Sequence, residues 1–289
     1  MKLTMTLLSL ILVFWNVENF FAPGGFPDHA WSSHRFYAKC DALAKTLLLV
    51  SDSEGSLPDI AAFCEVGDAS VLKRLLSSTV LRKAGYGIVH FDSPDHRGID
   101  CALIYRRSSL RLLDAKPCHL LDSAGAVIPT RDILLVHFGT PDGESFHVAV
   151  NHHPSKLGDG AQDRRIVALR RLRDIADSLS GSPLISVGDF NEPPSEASAS
   201  LLEPSLAELE PVSGGAGTIK FNGCWEQIDR CQVSEGIDAE MRIFDSGALS
   251  VRDAGYAGLK PLRTFSGPRY LGGVSDHYPI VVRIGRFRK

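Results

Sequence analysis

The sequence predicts an α/β protein in which two packed β-sheets are flanked by helices. Nine short apolar segments are rich in β-branched and aromatic residues, and their length and composition are typical of strands. Two longer segments carry apolar residues at helical spacing. Some predicted strands follow one another directly, whereas others are separated by a helix, which favours mixed or antiparallel sheets.

The predicted strands are residues 11–17, 60–66, 87–91, 101–105, 134–138, 146–150, 184–187, 225–233 and 280–284. The apolar positions of the first helix are Phe36, Cys40, Leu43, Leu47 and Val50, and those of the second are Ile166, Leu169, Leu172, Ile175, Ala176 and Leu179. We expect the arginines of the second helix to form a solvated face: Arg164, Arg165, Arg170, Arg171 and Arg173. Residues 203–220, rich in Pro, Gly and Ser, are predicted to form a surface loop. No break in composition marks a boundary, so residues 1–289 are predicted to form a single domain.

The composition is that of an ordinary globular protein, with 44% hydrophobic and 22% charged residues in a chain of 289. A chain of this length can bury a substantial core without disulfides or a structural metal. The formal net charge of −3 gives no basic footprint of the kind that tight, nonspecific nucleic-acid binders carry. A local basic rim around an active site is still compatible with this charge.

The six cysteines are scattered, without a C-x-x-C pair or zinc-ligand spacing. Cys64 and Cys101 lie in predicted strands, so we expect both to be buried and structural. A disulfide between Cys224 and Cys231 is also compatible with the sequence.

The N-terminus resembles the start of a signal peptide, with Lys2 followed by an apolar run to Trp15. The first plausible cleavage site, near Ala22, would remove Asn16, which we place in the active site below. The run is also short for a membrane span. We therefore predict that residues 10–17 form a buried strand, leave residues 1–9 as a candidate signal or anchor remnant, and favour a cytoplasmic over a secreted protein.

Polar residues cluster near the ends of apolar strands in six places. Any one of them is compatible with an ordinary turn cap. Their repeated position at strand ends is hard to explain structurally and favours a catalytic site. The six segments are residues 15–19 (Trp-Asn-Val-Glu-Asn), Glu65 within Phe-Cys-Glu, residues 151–156 (Asn-His-His-Pro-Ser-Lys), residues 188–191 (Gly-Asp-Phe-Asn), Ile228-Asp229 and Ser275-Asp276-His277.

These residue types suit the hydrolysis of a phosphoester. The carboxylates of Glu65 and Asp276 and the amide oxygen of Asn16 are hard ligands that favour Mg²⁺, and Mn²⁺ fits the same oxygens. Asp189 is a candidate base that takes a proton from the attacking water. On an extended segment, alternate residues point the same way, so Asn191 is predicted to donate to the phosphate on the same side as Asp189.

Two histidines complete the predicted site. His277 can donate to a non-bridging phosphate oxygen if Asp229 orients it and keeps it protonated. His152 is the candidate for a second imidazole role on the opposite side of the phosphate.

The segments around Asn16, Glu65, Asp189 and Asp276 resemble the signature segments of the endonuclease/exonuclease/phosphatase superfamily. Further similar segments are Arg97-Gly98-Ile99-Asp100, Asn151-His152, and residues 263–277, from Arg-Thr-Phe through Gly272-Gly273 to Asp-His. The resemblance covers nearly the whole chain and is greatest to bacterial members of unassigned substrate.

The resemblance implies a four-layer α/β/β/α sandwich of two mixed β-sheets flanked by helices, with Mg²⁺ at one end of the sheets. It implies that Asn16 and Glu65 lie at the metal, that Asp189 and Asn191 position or activate the nucleophile, and that His277 pairs with Asp229. It makes Asp276 a carboxylate of the metal or the site. It also favours His152 over His153, because the family's histidine directly follows a strand.

Arg97 and Lys156 each have two interpretations, a solvated loop side chain or a cation that binds the substrate phosphate. Glu18 and Asn19 are either supporting groups near the metal or residues of a turn after the first strand.

A metal-dependent nuclease is the first functional prediction. The acidic net charge and the lack of interleaved basic and aromatic residues stand against it. The alternative is a phosphatase or phosphodiesterase of a small molecule or lipid headgroup, and the third hypothesis is a catalytically silent binding module. Basic residues beside residues 225–230 would favour nucleic acid, and an enclosed pocket would favour a small substrate. We expect a monomer without a stable protein partner.

Overall fold

Two six-stranded β-sheets form the centre of the computed structural model, which describes residues 9–25, 31–156, 160–179 and 181–287. The helices are α1 (Ser33–Glu54), α2 (Ala69–Ser78) and α3 (Ala161–Ser178). The strands are β1 (Leu10–Phe20), β2 (Ile60–Val66), β3 (Tyr86–His90), β4 (Asp100–Arg106), β5 (Arg111–Cys118), β6 (Ile133–Gly139), β7 (Ser145–His152), β8 (Leu184–Asp189), β9 (Ala207–Glu208), β10 (Ile219–Phe221), β11 (Cys224–Glu226), β12 (Asp229–Val233), β13 (Ile237–Ile243), β14 (Ser250–Arg252), β15 (Leu259–Pro261), β16 (Phe265–Ser266), β17 (Arg269–Tyr270) and β18 (Ile280–Phe287).

Both sheets are mixed. The first has the order β13-β18-β1-β2-β4-β3, in which only β1 and β2 are parallel neighbours. The second has the order β5-β6-β7-β8-β12-β9, in which only β7 and β8 are parallel. Each parallel pair is joined by a helix, α1 in the first sheet and α3 in the second, because a parallel connection needs a long crossover.

The two sheets pack face to face, and helices cover their outer faces. Alternation along β6 explains the layers: Leu134 and Val136 point into the core between the sheets, whereas Ile133 and Leu135 pack beneath α3. On the other side, Phe36 of α1 is fully buried against the first sheet. The predicted four-layer α/β/β/α sandwich of two mixed sheets is therefore confirmed.

Several sequence-based assignments need correction. The predicted strand 225–233 is two strands, β11 and β12, which belong to different sheets and are separated by residues 227–228. The predicted loop 203–220 contains β9 and the first two residues of β10. Arg165 does not belong to a solvated face of α3, because it is buried and pairs with Glu192 at 3.2 Å.

The six cysteines are free thiols, so Cys224 and Cys231 are not bonded to each other. Cys64 and Cys101 are buried, as predicted. The predicted strand at residues 10–17 is present in the centre of the first sheet, while the possible signal or anchor residues 1–8 lie outside the described residues. Within the described part of the chain, no helix has the length and hydropathy needed to cross a membrane.

Candidate active site

The second sheet presents three polar residues side by side. The register pairs His152 of β7 with Asp189 of β8, and Asp189 with Asp229 of β12, so the three occupy one row across neighbouring strands. Neighbouring strands lie about 4.8 Å apart, which brings these side chains within reach of one another. His152 Nε2 is 3.8 Å from Asp189 Oδ2. Gly188 allows this close spacing, because a Cβ there would come within 2.5 Å of Asn151.

The first sheet contributes Asn16 from β1 and Glu65 from β2. Asn16 Nδ2 is 3.0 Å from Asp189 Oδ2 and 3.5 Å from Glu65 Oε1, so this amide bridges the two sheets. Glu65 Oε1 also lies 4.0 Å from His152 Nε2. The predicted residues Asn16, Glu65, His152 and Asp189 are thus brought together at one end of the sandwich.

The backbone around these first-sheet residues is in the left-handed region. Glu18, Asn19 and Glu65 have φ angles of 44°, 51° and 63°, which non-glycine residues seldom adopt. The resulting turn places the Asn19 amide 2.8 Å from Glu65 Oε2 and the Glu18 amide 2.9 Å from Asn16 Oδ1. The strained turn therefore fixes the orientation of both side chains.

A buried lysine supports this turn. Lys39 of α1 donates at 2.7 Å both to the backbone carbonyl of Glu18 and to Thr264 Oγ1. The carboxylate of Glu18 in turn accepts from the amides of Thr264 and Phe265. Burial lowers the pKa of Lys39 to about 8, although nearby carboxylates, including Glu65, act in the opposite direction. Lys39 had no recognisable signal in the sequence, because it lies within a helical pattern.

His277 enters the site from the segment before β18. Its Nδ1 is 2.7 Å from Asp229 Oδ2, and its Nε2 is 4.0 Å from Asp189 Oδ2. Ser275 Oγ accepts from the His277 amide and donates to the Asn16 carbonyl, at 3.0 and 2.6 Å. The ring of His277 is therefore held between an orienting carboxylate and the centre of the cluster.

The charges of these buried groups differ strongly. Burial, reinforced by Asp229, raises the pKa of Asp189 to about 7 despite the nearby His277 ring. Burial acts to lower the pKa of His277, but Asp229 and then Asp189 outweigh it and hold the pKa well above its usual value. Burial and the guanidinium group of Arg131 hold the pKa of His152 well below its usual value. The site therefore combines a cationic and a neutral imidazole around carboxylates.

The cluster has the chemistry of a divalent-metal site. Two groups of potential ligands share Asp189: Cys64, His152 and Asp189, and Asp189, Asp229 and His277. Burial is the main cause of the raised pKa of Asp189, so a cation bound nearby would favour its ionised form. The carboxylates of Asp189 and Glu65 suit a hard divalent cation, and Asn16, which turns Nδ2 toward them and Oδ1 toward the Glu18 amide, would offer Oδ1 after a half turn of its amide.

The other predicted site residues have side-chain partners of their own. Asp276 Oδ2 accepts from Arg263 Nη2 at 2.9 Å. Asn191 donates to the His153 carbonyl at 2.9 Å, and its φ of 53° shows that residues 189–191 are not an extended segment, contrary to the alternation argument. Arg97 is partly exposed and lies 3.7 Å from Asp95, and Lys156 pairs with Glu226 at the surface.

Arg131 is a second residue that the sequence did not reveal. It is buried, and its Nη2 donates to the His153 carbonyl at 2.7 Å while its Nη1 lies 3.2 Å from Asp95 Oδ2. Asp95 also accepts from the amide of Arg97 at 2.9 Å. Arg131 thus connects the loop that carries Arg97 to the segment that follows His152.

The four-layer sandwich and the carboxylate–imidazole cluster at its edge define a site suited to metal-dependent chemistry. Residues 14–286 match the model of the Endonuclease/Exonuclease/phosphatase family, and the chain belongs to this family. Members of the superfamily are mostly phosphoester hydrolases that depend on divalent metals. A search of curated proteins found no match.

Solved structures share the fold over nearly their whole length. An endonuclease/exonuclease/phosphatase family protein from Bacteroides thetaiotaomicron is 16% identical, with 96% of this chain and 98% of that chain covered and a TM-score of 0.65. A mannosyl-6-phosphatase from the same organism is 16% identical (95% and 99% covered, TM-score 0.64). D. rerio TDP2, complexed with a single-strand DNA product, is 15% identical (96% and 99% covered, TM-score 0.64).

Proposed function

We propose that this protein is a divalent-metal-dependent phosphoesterase, with Mg²⁺ as the preferred ion and Mn²⁺ as a substitute. The observation that carries the proposal is the convergence of Asn16, Glu65, His152, Asp189 and His277 at the adjoining ends of two sheets. When bound, the cation would neutralise charge on the phosphate and favour attack by water. Asn16 and Glu65 would hold it, and Asp276 is the third proposed ligand.

The protein's own groups would accept the proton of the attacking water and stabilise the charge that develops on the phosphate oxygens. Asp189 accepts a proton from the attacking water at its buried carboxylate, which the Asn16 side chain and the Asn191 amide hold in place at 3.0 and 2.9 Å. His277, kept protonated by Asp229, donates a hydrogen bond to the oxygen on which negative charge develops. His152 is neutral and provides a further hydrogen bond from the opposite side. Asn191 is proposed to assist in positioning the phosphate, and its hydrogen bond to the His153 carbonyl fixes its place.

Nucleic acid is the first proposed substrate, which would make the protein a nuclease-type phosphodiesterase. A DNA product in D. rerio TDP2 is compatible with it. A small phosphoester is the second candidate substrate. It is favoured because the cations beside residues 225–230 are already paired with carboxylates. Lys156 pairs with Glu226, Lys220 with Asp253, and the buried Arg230 with Glu208. These three cations are already neutralised, so they offer little to a nucleic-acid backbone.

The proposal is tested with purified protein, plasmid DNA and bis-p-nitrophenyl phosphate in Mg²⁺, Mn²⁺ or EDTA. We expect metal-dependent cleavage that is lost in Asp189→Ala. Cleavage of plasmid DNA would support a nuclease, whereas turnover of the small ester alone would support the second candidate. Cleavage that persists in EDTA would contradict the metal-dependent mechanism.

A matched variant separates catalysis from folding. Asp174 lies on the exposed face of α3, the helix that covers the outer face of the second sheet, and Asp174→Asn is the control variant. This control should retain activity. Equal loss in Asp174→Asn and Asp189→Ala would indicate that the assay reports stability and not the proposed role of Asp189.

A further inference from the structure

A second group of potential metal ligands lies outside the proposed active site. It consists of His90, Asp92 and Asp100, each of which offers one ligand atom within 4.8 Å of the others. His90 ends β3 and Asp100 begins β4, and the loop between them carries Asp95 and Arg97. The group shares no residue with the cluster around Asp189.

The geometry of this group differs from that of an ordinary ion pair. His90 Nε2 lies 3.2 Å from Asp100 Oδ2, yet among the described residues it has no hydrogen-bond partner. The N–H direction therefore does not point at the oxygen. Ligand atoms about 2.1 Å from one ion are separated by about 3.0–3.4 Å in octahedral or tetrahedral geometry. The His90–Asp100 separation matches two ligands of one cation.

Burial supports the same interpretation. The side chains of His90 and Asp100 are only 4% and 3% exposed, so an imidazole nitrogen without a hydrogen bond is costly there. Asp92 is 89% exposed, and its Oδ1 lies 3.8 Å from His90 Nδ1, the other ring nitrogen, so Asp92 would reach an ion on Nε2 by rotation of its exposed side chain. A cation could enter from the side of Asp92 and bind the two buried groups.

We propose that His90, Asp92 and Asp100 form a second metal site, selective for a transition-metal dication such as Zn²⁺. One imidazole and two carboxylates are softer than the oxygen ligands proposed for the catalytic cation, and imidazole ligands favour Zn²⁺ over Mg²⁺ or Ca²⁺. The ion would join the last residue of β3 to the first residue of β4. It would thereby close the base of the loop that carries Arg97.

This site would lie one to two strands away from Glu65 in the first sheet. Asp100 is opposite Val66, the neighbour of Glu65, and β3 is one strand further out in the sheet. The Asp100 carboxylate already accepts from the Ser93 amide at 2.9 Å, so an ion on its second oxygen would restrain the loop at both ends. The second ion would therefore order a loop that borders the active site without taking part in the proton transfers.

The test is calorimetric titration of the chelator-treated full chain with Zn²⁺. Asp92→Asn and His90→Gln should each abolish one equivalent of binding or weaken it at least about tenfold, since ligand-sphere changes have effects of 10–100-fold. Asp174→Asn, a remote exposed aspartate, should bind like the wild type. Because Asp92 is exposed, its variant should fold normally, and thermal melting without metal checks this.

The second metal site can be tested without measuring catalysis. Glu65→Gln should leave the His90 equivalent intact, which shows that the two sites are separate. Identical Zn²⁺ stoichiometry and affinity in the wild type, Asp92→Asn and His90→Gln would overturn the second site and leave a His–Asp ion pair. Tighter binding of Ca²⁺ than of Zn²⁺ would overturn the participation of His90.

Discussion

The two sheets contribute to the candidate active site in different ways. The second sheet supplies His152, Asp189 and Asp229 from three neighbouring strands in regular register. The first sheet supplies Asn16 and Glu65 from a region of left-handed backbone and irregular pairing. The groups of the second sheet, which are proposed for acid–base roles, therefore depend on ordinary strand geometry. The proposed metal ligands depend on a strained turn that other residues must stabilise.

The largest expected effect lies on the second sheet, in Asp229→Asn. Loss of the carboxylate that orients and charges His277 should lower kcat by about 10²–10⁴-fold, as for other acid–base groups. The measurement is kcat over a titration of Mn²⁺. Glu65→Gln on the first sheet is the contrasting variant, since its activity should recover in part at high metal. If added metal rescued Asp229→Asn equally well, the division of roles between the sheets would be wrong.

The next largest effect is expected on metal affinity, in Lys39→Met, which removes the support of the strained turn. Met preserves much of the side-chain volume but cannot donate to the Glu18 carbonyl or to Thr264. We expect Mn²⁺ to bind about 10–100-fold more weakly, as when supporting groups around other metals are lost. Electron paramagnetic resonance of free Mn²⁺ measures this directly. Lys45→Met, on the exposed side of α1, is the matched control, and an unchanged Kd in folded Lys39→Met would refute the role.

A smaller effect should appear in the stability of the metal-free protein. The pKa of Asp189 rises from 3.8 to about 7 on folding, so the native state retains a proton that the unfolded state releases. Stability from this group is therefore lost between about pH 4 and pH 7 as pH rises. Asp189→Asn should stabilise the metal-free protein by about 1–3 kcal/mol at pH 8 and by less at pH 4.5. Denaturant unfolding at both pH values checks the sign, and equal effects at the two values would argue against a buried charge.

The smallest effect on activity is expected from Lys156, a surface residue proposed to bind the substrate. Lys156 is partly exposed and paired with Glu226, and surface pairs contribute about 0–1 kcal/mol. Lys156→Ala should raise KM about two- to threefold with little change in kcat. Glu226→Gln should lower KM, because it removes the competing carboxylate. Unchanged KM in both variants would leave Lys156 as a surface ion pair without a role in substrate binding.

Much of the architecture follows from local patterns. Eight of the nine predicted strands correspond to single strands of the sheets, with ends that differ by a few residues, and both helical patterns are present. The ninth failed because an apolar run does not reveal that the chain changes sheets at residues 227–228. The edge strands β5 and β13 were missed because their exposed positions dilute the apolar signal.

Asn16, Glu65, Asp189 and His277 were predicted from their residue types and from the recurrence of polar groups near strand ends, and the structure brings these side chains together. Lys39 and Arg131 could not be predicted in this way, since their importance comes from burial and from contacts distant in sequence. The orientation of Asn191 could not be predicted either, because its left-handed backbone breaks the alternation assumed for an extended segment.

The order of strands in the first sheet has a consequence for synthesis of the protein. β18, the last strand, lies between β13 and β1, the first strand, and pairs with both. During translation, β1 and β13 therefore cannot acquire this neighbour until residues 280–287 leave the ribosome. Until then one edge of β1, an apolar strand, stays unpaired, and open edges of this kind invite pairing with other chains. The strand order thus exposes the nascent chain to aggregation until β18 is made.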